Sequence, residues 1–292
     1  MEKPTHSGAA KLRELLSRDA PAVVPLVLDP ISAKLAEAAG FDALYLGGGT
    51  LGYVKTVTEA NLSLIQMAQA GIEIRAASTL PLILDGQCGW GDPVHLHCTI
   101  PMAEAAGFAA IEIEDQLMPK RVHHHVGVEH LIPTELMVEK VRQAVAARRD
   151  PDFVIIARTN ACRTDSLDEA LRRAEAYKRA GADMLLVLPK HAEEARAIGE
   201  RIDGPLVYMM LGGPASIGMS VAELGQLGYK IVLDALTPFF ARQKALRLCY
   251  DALAKGLPDP TVGLAFAEEA GLTHEVIGLD RLLDVERQTT ER

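Results

Sequence analysis

The residues best suited to chemistry in this chain are charged groups that end short apolar runs. Leu80–Leu84 runs into Asp85 and then into Gly86-Gln87-Cys88-Gly89-Trp90-Gly91. A carboxylate in that position suits Mg²⁺, which keeps most of its waters and needs one or two such ligands; a turn or cap role for Asp85 is the competing reading. Ile111-Glu112-Ile113-Glu114-Asp115-Gln116 ends a second run. Strand alternation sends Glu112 and Glu114 to one face, where two carboxylates are costly unless paired, hydrogen bonded or bound to a cation. Ile156-Ala157-Arg158 ends a third. Its guanidinium suits bidentate capture of a substrate carboxylate, with a buried structural ion pair as the alternative.

Two further segments are polar enough to take part. Tyr45-Leu46-Gly47-Gly48-Gly49 carries three glycines, which either expose backbone N–H groups to an anion or make a flexible turn. Pro119-Lys120-Arg121-Val122-His123-His124-His125 offers two cations for a carboxylate or phosphate. Consecutive histidines cannot all point one way, so a zinc site is not expected. One of them at most reaches a substrate, as an acid or a hydrogen-bond donor. Cys88 is read as a pocket-lining thiol.

To place these groups together, the chain needs elements that end at a common face. The apolar runs are Ala22–Leu26, Ala43–Gly47, Leu80–Asp85, Ala109–Glu114, Phe153–Arg158, Met184–Leu188, Leu206–Met210 and Lys230–Leu233, and each is followed by a helical pattern. Strand then helix, eight times, predicts an α/β fold, a closed (β/α)8 TIM barrel with catalytic groups at the carboxyl ends of its strands. Gly40, Gly107 and Gly181 stand where a helix must stop and a strand begin. Leu12–Ser17 reads as an N-terminal capping helix and residues 258–292 as a helical arm. The segment at about 116–133 is long enough for a lid. No linker divides the chain, so one domain over 1–292 is expected.

Composition agrees. With 292 residues, 49% apolar and 4% aromatic, the core must be built of Ala, Val, Leu and Ile. The 30 basic against 39 acidic residues leave a net charge of −9 and no basic run, which argues against nucleic acid as a partner. Four unpatterned cysteines fit a reducing compartment, and the first residues lack the apolar core of a signal peptide. A cytoplasmic enzyme with no membrane partner is expected.

At these residues the chain resembles the isocitrate lyase/phosphoenolpyruvate mutase superfamily. The matching pieces are Tyr45–Gly49 with Gly47 in place of the family's Ser, Asp85 with Gly89 and Gly91, Ile113–Gln116, Pro119–Arg121 and Ile156–Asn160. The resemblance implies Mg²⁺ (Mn²⁺ as alternative) at Asp85 and Glu114, with Gln87 beside them where a second Asp is usual. It implies a small 2-oxo or 2-hydroxy diacid held by Tyr45, Gly47, Gly48, Gly49 and Arg158. The shared chemistry is formation or use of a metal-bound enolate, with His124, His123, Arg158 and Glu112 as catalytic candidates. It further implies homo-oligomers, dimer or tetramer, built by helix swapping.

Departures narrow the expectation. Val122 stands where the lyases carry a lid cysteine that acts as the acid, and His123 or His125 is the substitute. Leu188-Pro189 replaces an acidic residue and Met209 a polar one, so a smaller or alkyl-bearing substrate is expected. The leading function is a carbon–carbon lyase on a substituted malate or an oxaloacetate-like acid. The alternatives are phosphonopyruvate-type C–P chemistry, with Lys190 the sole further cation near Arg158, and a non-catalytic carboxylate-binding barrel.

Overall fold

The computed structural model describes residues 7–263 and 265–291. Residues 1–6, part of the segment read for a signal peptide, lie outside the described residues, as do Leu264 and Arg292 of the expected arm. Eight parallel strands follow the eight apolar runs: β1 (Ala22–Pro25), β2 (Leu44–Leu46), β3 (Leu82–Asp85), β4 (Ala110–Glu114), β5 (Val154–Thr159), β6 (Met184–Val187), β7 (Leu206–Met210) and β8 (Tyr229–Asp234). They pair in the order β1-β8-β7-β6-β5-β4-β3-β2. A parallel bridge between Leu26 and Tyr45 closes the ring, and the Val27 N–H donates to the Tyr45 carbonyl at 2.8 Å. The result is the expected (β/α)8 barrel. Nearly every strand residue is buried, as parallel strands covered by helices require.

The helices begin where the sequence supplies caps. α1 (Gly8–Leu16) starts at Ser7, whose hydroxyl accepts from Ala10 N–H. Asp29 and Ser32 form a reciprocal box at the start of α2 (Pro30–Ala38). Ser63 and Gln66 do the same for α4 (Leu64–Ala77). The stops at Gly40, Gly107 and Gly181 take φ of +89°, +85° and +107°, a region that glycine enters without a Cβ penalty.

Two helices were not legible. α3 (Gly48–Val54) begins inside the triple glycine and α7 (Ala161–Thr164) directly after β5. Glycine opposes helix by about 1 kcal/mol per residue, so tertiary contacts rather than propensity set α3. The rest of the ring is α5 (Leu96–Ala105), α6 (Thr134–Ala147), α8 (Leu167–Arg179), α9 (Ala192–Arg201) and α10 (Val221–Gln226). The expected lid over 116–133 starts and ends with a bridge between Gln116 and Leu131. Between them a 3-10 turn spans Val122–Val126 and stops at Gly127.

The chain divides into two compact units between Thr237 and Pro238. The second holds nearly all of α11 (Thr237–Leu253), with α12 (Phe266–Ile277) and α13 (Leu279–Thr289). Among the described residues no helix is long and apolar enough to cross a membrane.

Helix α4 seats against the approach to β4 through a missing side chain. A Cβ on Gly71 would stand 2.2 Å from the ring of Phe108, which is 4% exposed. Gly71→Ala should therefore destabilise the protein by about 1–3 kcal/mol through overpacking, against a helix-propensity gain of about 1 kcal/mol. Urea titration checks the sign, and a stabilised variant would refute this packing.

Candidate active site

Strand ends and the lid build one polar cluster at the mouth of the barrel. Arg158, at the end of β5, donates from Nη1 to Glu112 Oε1 at 2.7 Å and from Nε to Asn160 Oδ1 at 3.0 Å. Its Nε also lies 3.4 Å from Glu114 Oε2. Glu112 and Glu114 sit two apart on β4 and meet the same guanidinium, so the ion-pair and cavity readings of Arg158 coexist. Glu114 is further held at Oε1 by Lys120, and at Oε2 by Asn160 Nδ2 and Gln116 Nε2, each at 3.0 Å.

Lys120 comes from the lid yet is 6% exposed. Its ammonium also pairs with Glu59 Oε1 at 2.6 Å. Glu59 lies in a 3-10 turn (Glu59–Asn61) after α3 and is 3% exposed. His124 completes the docking. Its Nε2 is 3.1 Å from Glu59 Oε1 and its Nδ1 is 3.3 Å from Glu129 Oε2. The lid is thus pinned by charges at Lys120 and His124.

Asp85 ends β3. Its Oδ2 accepts from Gly48 N–H at 2.8 Å and its Oδ1 from Gln87 N–H at 3.0 Å. The Gly48 N–H therefore serves Asp85. A Cβ at Gly48 would stand 3.2 Å from Asp85 Oδ2 and from Gln87 Nε2, so glycine permits the approach. Gln87 holds φ +49°, a strained value for a side-chain-bearing residue. Its Nε2 is a buried donor with no partner in the protein.

These environments set the charges. Burial alone would raise Glu114, but Lys120 and Arg158 hold its carboxyl well below the usual range. Burial pushes Glu112 up to about 7, with Arg158 opposing. Asp85 is raised by burial and by Glu59. Burial would lower His124, but its hydrogen bonds to Glu129 and Glu59 raise it to about 9. Burial and Glu114 push the Cys88 thiol up, which leaves it an unreactive neighbour.

A cavity of about 190 Å³ opens over this cluster. Of the sequence-predicted groups, Tyr45, Gly47, Gly49, Asp85, Arg158 and His124 line it. Glu112, Glu114, Gly48 and Gln87 stand behind the lining. His123 lies on the lid with its ring 5.9 Å from that of His130. His125 reaches the cavity as well as His124, where one lid histidine at most was expected. Lys190 pairs with Glu194, and the further cations at the cavity are Lys120 and Arg163. Glu59, Glu129 and Asn160 were missed because no periodic signal marks single polar residues in turns and loops, and Tyr53 because it lies on α3, which the triple glycine hid.

The family model described as phosphoenolpyruvate phosphomutase matches residues 12–254. The chain belongs to the phosphoenolpyruvate mutase/isocitrate lyase superfamily. Within the superfamily it is 36% identical to 2,3-dimethylmalate lyase of Eubacterium barkeri, over 95% of this chain and 96% of the relative. It is 34% identical to oxaloacetate decarboxylase of Pseudomonas fluorescens, over 87% and 86%. The solved structure of phosphonopyruvate hydrolase in complex with oxalate and Mg²⁺ superposes with a TM-score of 0.84 at 29% identity, over 98% and 100%.

The superfamily's divalent ion can be tested against the residues present. Among the described residues no three His, Cys, Asp or Glu side chains converge on one point. A cation here would keep most of its water, as Mg²⁺ does. Asp85 fits that role: it faces the cavity, and the surrounding carboxylates disfavour its charge. Turned by half a turn, the partnerless Gln87 amide would present its oxygen to a bound water. The donor set fits, with Asp85 nearest and Glu114 behind it.

His124 has a checkable signature. Its folded value of about 9 lies above the ordinary 6.5. The stability it adds is therefore fully present below about pH 6.5 and lost as pH rises through about 9. In denaturant titrations the wild type should lose its advantage over His124→Gln across that window. A pH-independent difference would show that His124 carries no proton in the folded state.

Proposed function

We propose that the chain is a carbon–carbon lyase acting on a small, alkyl-substituted 2-hydroxy diacid of malate type, with oxaloacetate-type decarboxylation as the neighbouring activity. The observation that carries this is the division of the mouth by strand. Asp85, Lys120, Arg158 and Arg163 enter from the β3–β5 side; Leu188, Met209, Leu211, Ala235 and Leu236 enter from the ends of β6–β8. A diacid carrying a methyl or ethyl group needs both: cations for its carboxylates and an apolar wall worth about 0.8 kcal/mol per buried CH₂. The named activities of the two curated relatives support the same class.

In this reading Arg158 anchors a substrate carboxylate, its own plane fixed by Glu112 and Asn160. Asp85 would hold Mg²⁺, with Glu114 behind it; the ion supplies stabilisation of negative charge building on the substrate oxygen. Tyr45 Oη stands 3.5 Å from Glu112 Oε2, and burial pushes the Glu112 carboxyl up to about 7. The hydroxyl proton of the substrate passes to Glu112 through Tyr45.

A panel of 2-oxo and 2-hydroxy diacids, assayed for release of the 2-oxo acid (pyruvate from 2-methylmalates and oxaloacetate, glyoxylate from malate), tests this. Cleavage is expected to be faster with alkyl-substituted malates than with unsubstituted malate, stopped by EDTA and restored by Mg²⁺. Leu188→Asp should cut that preference by about 10–200-fold. Silence on every member sinks the lyase reading. Conversion of phosphonopyruvate by phosphorus NMR would put C–P chemistry in its place, and Mg²⁺ and oxalate binding without turnover a carboxylate-binding barrel.

We further propose that a second copy covers the second unit. Phe266 is 74% exposed, and Ile277, Leu282, Leu283 and Val285 are also exposed, more apolar surface than a short helical pair normally leaves in water. Light scattering should give a multiple of one chain's mass, and Phe266→Asp with Leu283→Asp should reduce it. A monomeric wild type would refute the assembly.

A further inference from the structure

The residue that stands at the lid-cysteine position is Val122, which is 61% exposed and does not line the cavity. The proton that a leaving carbon must receive has to come from elsewhere. His124 is unsuited, since its two nitrogens face Glu59 and Glu129 and its charge holds the lid. Lys120 is likewise spent on Glu59 and Glu114. Tyr45 faces Glu112 and serves the opposite proton transfer.

A different pair meets across the cavity rim. Tyr53, on α3, places Oη 2.8 Å from Nδ1 of His125, on the lid. Both side chains line the cavity, and their rings lie 5.3 Å apart. The contact exists when the lid is docked, so it assembles with the site. We propose that Tyr53 is the acid that returns a proton to the departing carbon, with His125 as the positioning residue that reloads it. This rests on the lyase reading above.

The chemistry balances. In cleavage of a 2,3-dialkyl malate the C2 hydroxyl proton leaves through Tyr45 to Glu112, and the C2–C3 bond breaks. Its electron pair moves into the departing carboxylate as the new C2 carbonyl forms. Tyr53 gives its Oη proton to C3, while the Nδ1 proton of His125 moves to Tyr53 and water supplies Nε2. One proton goes out to solvent and one returns per turnover. The surroundings keep the pair loaded. Burial and Glu59 raise Tyr53, so its hydroxyl stays protonated. Burial lowers His125, with Glu59 opposing and His124 and Lys120 adding to it, so the ring relays as a neutral tautomer.

The test is turnover of 2,3-dimethylmalate by the full chain in D₂O with Mg²⁺. The wild type should release pyruvate and propionate with one deuterium at C2 of a single handedness. Tyr53→Phe keeps the ring at a position that is 39% exposed, so the fold persists. It should lower kcat by about 100-fold or more, the range of a lost general acid, with KM within about twofold. Its residual propionate should be racemic at C2, because solvent then protonates either face. His125→Gln should lower kcat by about tenfold and partly scramble the product. Wild-type kcat and handedness in Tyr53→Phe overturn the proposal. A raised KM with unchanged kcat and handedness makes the pair a lid latch and also overturns it. If the wild type itself releases no pyruvate, the lyase reading fails first and this inference with it.

Discussion

The ion pair between Lys120 and the carboxylates of Glu114 and Glu59 ties together parts of the molecule that are far apart in sequence. Glu114 ends a barrel strand, Glu59 sits in a turn after α3, and Lys120 belongs to the lid. Removing one member of a buried charged cluster strands the others at a cost of several kcal/mol. The acids can stay ionised beside Asp85 because the lid brings its ammonium in. Arg158 plays the same part from β5, neutralising Glu112 and Glu114 from within the barrel. The lid is therefore part of the mouth's electrostatic structure as well as its cover.

The barrel was legible because its signals are local. Short Val/Ile/Leu runs, reciprocal caps and glycine stops fix strands and helices without long-range information. Boundaries slipped by a residue at element ends: β1 spans Ala22–Pro25, with Leu26 still bridging to Tyr45, and β5 continues to Thr159. Charged residues ending apolar runs, such as Asp85, Glu112, Glu114 and Arg158, stood out because their burial needs a reason. Glu59, Glu129 and Asn160 did not. Each comes from a polar loop or a strand end where such residues are ordinary, and only the fold brings it to Lys120, His124 or Arg158. The division of labour among the histidines was equally hidden, since it depends on which way a 3-10 turn faces.

The mouth is uneven in kind as well as in charge. Its β3–β5 side is a network in which most polar atoms have a partner; the Gln87 amide nitrogen has none, and Glu129 Oε1 meets Arg163 at 3.6 Å without a hydrogen bond. Its β6–β8 side offers Leu188, Met209 and Leu236, which impose shape and no direction. In the function proposed above, orientation of a bound acid would come from the first side and choice of substituent from the second, and the two could be altered separately.

Lys120 also bears on how such a chain can diverge. Because its ammonium counterbalances two acids, the lid's freedom to drift is bounded by charge rather than by shape. Val122 and His123, which touch neither the acids nor the cavity, can be exchanged at little cost. Lys120 can change only together with Glu59 or Glu114. Inheritance of the lid and of the barrel mouth is in that sense joint, although some 60 residues separate Glu59 from Lys120 along the chain.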